Sequence, residues 1–170
     1  MNPLDTRPPV WIRPYNPSDL DAVITIFESA VREIASKDYN SAQIHAWAQV
    51  DRDAWVLRAL SRPTWVAVID NFPVGFTDLE CSGHLDMMYV HPRYQRMGVA
   101  TALLDRVERA AWALGLSRLF TEASITAKPF FAKHGFRVIA SQVVTCRDEK
   151  LTNFRMEETL KVSPSPITES

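Results

Sequence analysis

Cysteine is scarce in this chain: Cys81 and Cys146 are the two present, and they form no C-x-x-C spacing. A disulfide framework and a thiolate zinc site are therefore not expected, and a reducing compartment is favoured. No apolar run approaches the roughly 20 residues that cross a bilayer. The first nine residues hold three prolines and no apolar core, unlike a signal peptide. We therefore expect a cytoplasmic protein.

Neither sign of charge dominates the chain. It has 19 Lys and Arg against 20 Asp and Glu, so its formal net charge is −1. A global basic field that would hold nucleic acid or an anionic membrane is absent from the sequence. We therefore expect neither nucleic acid nor a membrane among its partners.

Glycine is rare as well, with five residues against eleven prolines. The chain is nevertheless 46% hydrophobic and contains five Trp, eight Phe and four Tyr, enough to fill a core in 170 residues. It shows no internal linker and no repeat. We expect one domain over 10–161, with 1–9 and 162–170 as loose ends.

Apolar periodicity predicts helices and strands in a definite order. Ser18-Asp19 opens a first helix, Ser41 caps a second and Asp53 opens a third. The clearest helix covers 98–114 and ends at Gly115. A shorter helix covers 127–134, and the predicted strands are 10–13, 65–69, 74–80, 85–90, 116–123, 136–146 and 151–160. This order indicates an α/β (α+β) fold with a mixed, mostly antiparallel sheet and helices on its faces.

The most informative segment runs from strand to basic loop to long helix over 87–100. No Ser, Thr, Asp or Asn precedes Gly98 to cap the helix, and Arg93 and Arg96 crowd the positive end of its dipole. A bound phosphate would accept the amides of Arg96 to Thr101 and balance both arginines. The alternative is a surface loop with solvated arginines. The segment lacks a Walker loop and a G-x-G-x-x-G fingerprint, so magnesium-dependent nucleotide chemistry is not favoured.

The stretch Gln95-Arg96-Met97-Gly98-Val99-Ala100 resembles the Gln/Arg-x-x-Gly-x-Gly/Ala signature of the GNAT superfamily of N-acetyltransferases. Met88-Tyr89-Val90-His91-Pro92 before it, and Phe130-Phe131 with Gly135-Phe136 after it, match that family too. The order of elements agrees over about 11–160. The resemblance implies a seven-stranded GNAT sheet splayed in its middle, acetyl-CoA as donor without a metal, and an amine as acceptor.

The same resemblance implies roles for individual residues in binding CoA. Backbone amides of the signature would hold the pyrophosphate, and the strand before it would pair with the pantetheine arm. The next strand would line the other side of the split, and the short helix after it would lie along the CoA arm. The residues so assigned are Met88, Tyr89, Val90, Gln95, Arg96, Met97, Gly98, Val99, Ala100, Thr101, Glu122, Ser124, Phe130, Phe131 and Lys133.

Acetylation needs a neutral amine, so a base must take a proton during the attack. Strand alternation places His84 and Asp86 on one face, at positions where several family members carry catalytic Glu or His. They are our first candidates, and Glu80 and Glu122 are weaker ones. The alternative is that His84 is simply solvated and that Asp86 forms an ion pair.

The sequence departs from the family at Phe131, where many members carry a Tyr that protonates the leaving thiolate. Tyr89, Ser124 or water could take over, and CoA thiolate also leaves unaided near neutral pH. The departure allows a second hypothesis, a catalytically weak acyl-CoA-binding or sensing module. A third is a phosphate-metabolite-binding protein of another fold.

In GNAT proteins the first helices build one wall of the acceptor pocket. That resemblance points to Tyr39, His45 and Trp47, with Phe154 on the opposite wall. The alternative assigns Trp47 to the core. Nothing in these residues identifies the amine. We expect the acceptor to be a small molecule or a peptide. Open sheet edges in this fold also suggest a homodimer.

Overall fold

The computed structural model describes residues 6–161. Residues 1–5 and the expected loose end at 162–170 lie outside the described part. The order of elements is the one expected from the sequence. The elements are β1 (Trp11–Pro14), α1 (Leu20–Glu33), α2 (Ser41–Trp47), α3 (Arg52–Ser61), β2 (Thr64–Ile69), β3 (Phe72–Asp78), β4 (Met88–Val90), α4 (Val99–Ala113), β5 (Arg118–Ser124), α5 (Lys128–Lys133), β6 (Arg137–Cys146) and β7 (Glu149–Thr159).

The helix starts differ from the predicted ones by one or two residues. Asn40, not Ser41, caps α2, because its side chain accepts from the amide of Gln43 while the Gln43 side chain accepts from the amide of Asn40. Asp51, not Asp53, caps α3, because its side chain accepts from the amide of Ala54, the third residue of the helix. In both cases the residue that caps the helix lies one or two positions before the residue chosen from the sequence.

The strands form two antiparallel groups with the orders β1-β2-β3-β4 and β5-β7-β6. The groups meet at one parallel bridge between His84 and Phe120. Leu85 donates from its amide to the carbonyl of Phe120 at 2.9 Å, and Phe120 donates to Gly83 at 3.0 Å. Beyond this bridge β4 and β5 separate. The expected seven-stranded sheet, splayed in its middle, is confirmed.

The strand predicted over 85–90 is wrong in its first half, because β4 covers only Met88–Val90. The amides of Asp86 and Met87 donate instead to the Asp78 side chain, at 3.1 and 2.9 Å. A side-chain acceptor therefore replaces a backbone ladder over these residues, and the chain bends toward β5.

Helices cover the sheet and pack on it through three apolar clusters, with α1 in one and α4 in the other two. Buried α1 residues pack against β2 and β3, and Leu103, Leu104 and Val107 of α4 are almost fully buried on the sheet. In the described part of the chain no helix is long and apolar enough to cross a membrane. The two helical layers leave the mouth of the β4–β5 split open.

Glu108 of α4 and Glu158 of β7 form a half-buried glutamate pair. Burial, together with the charge of Glu108 and a hydrogen bond to it, raises the pKa of Glu158 to about 7. Burial also raises the pKa of Glu108. One glutamate of the pair therefore stays protonated up to near-neutral pH.

Candidate active site

A cavity of about 240 Å³ lies in the split between β4 and β5. It brings together residues that the sequence places far apart, from α1, α2, both strands, the start of α4 and α5. Eleven of the residues predicted for the site line it: Trp47, Asp86, Met88, Tyr89, Val90, Gln95, Ala100, Glu122, Ser124, Phe130 and Phe131.

One edge of β4 faces this cavity without a strand partner. His91, just after β4, donates from its amide to Val74 in β3 at 2.8 Å. By alternation, the amide and carbonyl groups of Met88 and Val90 point away from β3, toward the split. The Gln95 side chain reaches the Val90 carbonyl at 3.3 Å. The remaining groups on this edge are free to pair with an extended ligand.

The other end of the cavity lies against the start of α4. Gly98 occupies the cap position in the left-handed conformation (φ +81°), and no side chain caps the helix, as the sequence indicated. A Cβ on Gly98 would meet no atom within 4 Å, so the space before the helix is open. Arg93 and Arg96 are exposed beside it. The unpaired amides belong to the first helical residues, Val99, Ala100 and Thr101.

The remaining residues predicted for CoA lie outside the cavity lining. Met97 packs against an apolar cluster with Val99, and Lys133 is exposed at the end of α5. The Thr101 hydroxyl lies 3.2 Å from Nε2 of His134, which connects the start of α4 to α5.

His84 lies between two carboxylates at the floor of the split. Its Nδ1 is 3.0 Å from Glu80, and its Nε2 is 2.5 Å from Glu122. The ring stacks on Phe120 with centroids 4.9 Å apart. Partial burial opposes ionisation of Glu80, but the hydrogen bond with His84 and the Arg62 charge hold the pKa of Glu80 below its usual range. Glu122 lines the cavity, so this cluster reaches the ligand space through Glu122.

Asp86, the other predicted base, is held by two arginines that the sequence reasoning missed. Arg62 lies 3.2 Å from its carboxylate and 2.7 Å from that of Glu80, and Arg58 also contacts Asp86. Two guanidinium groups stabilise the charged carboxylate and disfavour its taking a proton. The ion pair considered as the alternative for Asp86 is present.

Asp78 anchors the same network from beneath. It is 3% exposed, and its second carboxylate oxygen lies 3.5 Å from Arg58 and 3.8 Å from Arg62. Burial raises the pKa of Asp78 despite the hydrogen bond from Met87 and the arginine charges, which lower it. The position of the arginines therefore depends on a carboxylate that the fold buries at a cost.

Three of these acids and bases also form the one cluster of metal-ligand type found in the described residues. Ligand atoms of Glu80, His84 and Asp86 lie within 4.8 Å of one another. Arg62 already bridges the two carboxylates, so a guanidinium supplies the positive charge there. A metal-free site stays a prediction.

Phe131, at the position of the family's usual acid, is buried against Phe136 and lines the cavity. Tyr89 also lines it, with its ring packed among Phe27, Trp47 and Phe76. Burial raises the pKa of Tyr89 to about 12, so its hydroxyl stays protonated at any working pH.

Of the four residues predicted for the acceptor, Tyr39 and Trp47 meet, with ring centroids 5.4 Å apart. Trp47 lines the cavity. Tyr39 is buried, and its hydroxyl donates to Thr152 at 2.6 Å and accepts from the amide of Ile125 at 2.9 Å. His45 is exposed on α2 beside Gln49, and the ring of Phe154 lies under Lys128, 4.2 Å from Nζ.

One wall of the cavity contains residues from the end of α1 and just after it that the sequence reasoning did not select. Ala30, Val31, Ile34 and Ala35 line the cavity beside Trp47. Their signal was ambiguous, because an apolar stripe on a helix indicates burial but does not separate core from ligand wall.

Comparison with known proteins supports this geometry. Residues 35–160 match the family model of an acetyltransferase (GNAT) domain. The chain is 42% identical over 147 residues to YafP of Escherichia coli, described as an uncharacterized N-acetyltransferase; the match covers 86% of this chain and 94% of YafP.

Solved structures agree as well. A GCN5-related N-acetyltransferase from Rhodopseudomonas palustris matches with a TM-score of 0.87 and 34% identity, covering 91% of this chain and 97% of the other. PaiA N-acetyltransferase from Thermoplasma acidophilum, solved with coenzyme A, shares the fold with a TM-score of 0.75 at 18% identity, covering 89% and 99%. The chain belongs to the GNAT family and is an N-acetyltransferase.

Proposed function

We propose that this enzyme transfers an acetyl group from acetyl-CoA to a primary amine of a small molecule or peptide. One observation carries the proposal: the uncapped start of α4 and the unpaired edge of β4 open into the same cavity. A helix N-terminus binds phosphate oxygens, and a free strand edge binds an extended amide-containing arm. CoA has both parts, and a structural neighbour was solved with CoA bound.

The residues present fit this ligand. The amides of Val99, Ala100 and Thr101 would hold the pyrophosphate, with Arg93 and Arg96 balancing its charge. Met88 and Val90 would pair with the pantetheine amides. When bound, acetyl-CoA supplies the thioester that the amine attacks. Acetyl-CoA and the two free thiols of this chain both suit the cytoplasm, where we place the enzyme.

Glu122 and His84 are the proposed route for the amine proton. Glu122 lines the cavity, and His84 is within hydrogen-bond distance of it. Glu122 would take the proton directly or through a water and share it with His84, which Glu80 holds in place from the other side. Asp86 is the second candidate, weakened by its two arginine partners.

The chain also supplies groups for the other two charges of the reaction. A backbone amide on the free edge of β4 would donate to the carbonyl oxygen as it becomes negative. Phe131 offers no proton to the departing thiolate. Ser124 lines the cavity, and its hydroxyl oxygen accepts from the amide of Ala127 at 3.0 Å. Because the hydroxyl is the acceptor in this contact, its own proton would be available to the departing thiolate.

A panel of primary amines with CoA release as the readout tests the proposal. We expect Glu122→Gln and His84→Asn to lower kcat/KM by roughly 10²–10⁴ and to lose the acidic limb of the pH–rate profile. Asp86→Asn serves as the matched comparison and should keep that limb. Two amines of different pKa separate the enzyme's ionisation from the substrate's.

The outcomes distinguish the hypotheses. Acetyl-CoA binding without CoA release from any amine would refute catalysis and support a binding module. Loss of the acidic limb in Asp86→Asn alone would move the base to Asp86. A Phe131→Tyr variant that gains rate would show that the missing acid limits turnover.

A further inference from the structure

The cavity contains little charge, and all of it is negative. Among its lining residues in the described part of the chain, only Asp86 and Glu122 are ionisable at neutral pH. Tyr89 stays neutral because burial raises its pKa to about 12. Within residues 6–161, no lysine, arginine or histidine lines this space. An acceptor therefore meets no positive side chain on the cavity wall.

The two arginines that contact the lining residue Asp86 are already engaged. Arg62 contacts the carboxylates of Glu80 and Asp86 at 2.7 and 3.2 Å. Arg58 contacts Asp86 and lies 3.5 Å from Asp78. Counting Glu122, four carboxylates face two guanidinium groups and one imidazole. A carboxylate on the acceptor would have to displace one of the protein's own carboxylates to reach Arg58 or Arg62.

The rest of the acceptor wall is apolar. Ala30 and Val31 of α1, Ile34 and Ala35 just after it, and the indole of Trp47 line the same cavity. We call these five residues the α1/α2 wall. Apolar and aromatic surfaces of this kind bind a ligand's hydrocarbon or ring and offer nothing to hold a solvated anion.

We infer that the acceptor is an amine with an apolar or aromatic body and no carboxylate next to the amine, so that free α-amino acids are rejected. The inference rests on the proposed function and deepens it. Bringing a carboxylate beside Asp86 and Glu122 combines desolvation with like-charge repulsion, which discriminates against that ligand without affecting a neutral one.

Three compounds with the same ring test the inference: L-phenylalanine, L-phenylalaninamide and phenethylamine. The amide keeps the size of the amino acid but removes its negative charge. Initial rates of CoA release are measured at several pH values and corrected to the neutral-amine fraction, since the three amines differ in pKa. We expect kcat/KM for the amide and for phenethylamine to exceed that for phenylalanine at least about tenfold.

A second readout does not depend on turnover. With CoA present, the amide and phenethylamine should raise Tm more than phenylalanine does. If this ranking of Tm shifts holds but no compound releases CoA, the proposed function is refuted and the inference about the acceptor stands. The inference is overturned if phenylalanine gives a kcat/KM or a Tm shift equal to or greater than that of the amide and phenethylamine. Absence of a Tm shift from all three also overturns it, because the α1/α2 wall should bind their common ring.

A charge variant tests the cause of the discrimination. Ile34→Arg places a cation on the α1/α2 wall, and Ile34→Gln is the neutral control of similar length. The amide-to-acid ratio of kcat/KM should fall at least about threefold in Ile34→Arg and stay within about twofold of wild type in Ile34→Gln. An unchanged ratio in a folded Ile34→Arg protein would show that charge on this wall does not set specificity.

Discussion

Replacing Asp78 should show how the split between β4 and β5 is held open. Asp78 is buried at the end of β3, and its Oδ1 accepts the amides of Asp86 and Met87 at 3.1 and 2.9 Å. Its other oxygen faces Arg58 and Arg62. We expect Asp78→Ala to destabilise the fold strongly and Asp78→Asn to destabilise it little.

The magnitudes follow from these contacts. Alanine leaves two amides without an acceptor, at about 1–3 kcal/mol each when fully buried, and removes a partner of two arginines. Partial access of water reduces the sum, so we expect a loss of about 3–5 kcal/mol in the free energy of unfolding. Asparagine keeps Oδ1. Because burial raises the pKa of Asp78, the fold already disfavours the charged form, and losing that charge should change stability by about 1 kcal/mol or less.

Urea unfolding at pH 7.5, followed by circular dichroism, measures both variants. The expected loss in Asp78→Ala corresponds to a fall in Tm of about 10 °C for a domain of this size. Acetyl-CoA affinity should fall with it, since Met87 leads directly into β4. If Asp78→Asn were as unstable as Asp78→Ala, the charge and not the hydrogen bonds would hold this segment, and our account of the bend would be wrong.

Three further predictions concern the cofactor end and the glutamate pair. Gly98→Glu should abolish acetyl-CoA binding measured by calorimetry, while Gly115→Glu, at φ +72° and equally open at the other end of α4, should suffer the same backbone strain and keep affinity. Arg96→Gly suits the φ of +60° at this position and should lower the affinity for CoA more than the affinity for a pantetheine fragment. Equal losses of affinity for the two ligands would show that Arg96 has a structural role. Glu158→Gln should raise the free energy of unfolding at pH 8 by about 1–2 kcal/mol after allowing for partial exposure, seen as a higher Tm, and should raise it less at pH 5. The reason is that a raised pKa makes wild-type stability fall as pH rises from about 4.5 to 7. Glu157→Gln, which breaks an ion pair at 2.5 Å, should not raise Tm at either pH.

Periodicity predicted most of the fold because most elements bury apolar residues in a regular pattern. Two examples are α4, which buries five apolar residues, and β2, in which five of the six residues are buried. The prediction failed over 85–87, where the sequence alternates like a strand. The Leu85 amide donates instead to Phe120, and the amides of Asp86 and Met87 donate to the Asp78 side chain. A side-chain acceptor distant in sequence leaves no trace in a hydrophobic pattern, so the short β4 could not be foreseen.

The cofactor end of the site was predictable from local features, and the catalytic end was not. The uncapped helix at Gly98 and its flanking arginines lie within a few residues of one another. His84 and Glu122, by contrast, are 38 residues apart and meet because the parallel bridge aligns their strands. Arg58 on α3 belongs to a segment with no buried residue, where the sequence indicates only a solvated charge.

The position of α3 and the charge balance of the site depend on the same contacts. α3 has no fully buried residue and is attached by Trp55, whose ring lies 5.0 Å from Phe27, and by the contacts of Arg58. A variant at Asp86 therefore removes both a candidate base and an anchor of α3, and a lower rate alone would not separate these effects. The pH–rate profile does, because loss of an anchor lowers the whole curve while loss of a base removes its acidic limb. Asp86→Asn, which keeps the shape of the side chain, should lower the curve and leave the limb in place if Glu122 and His84 take the proton.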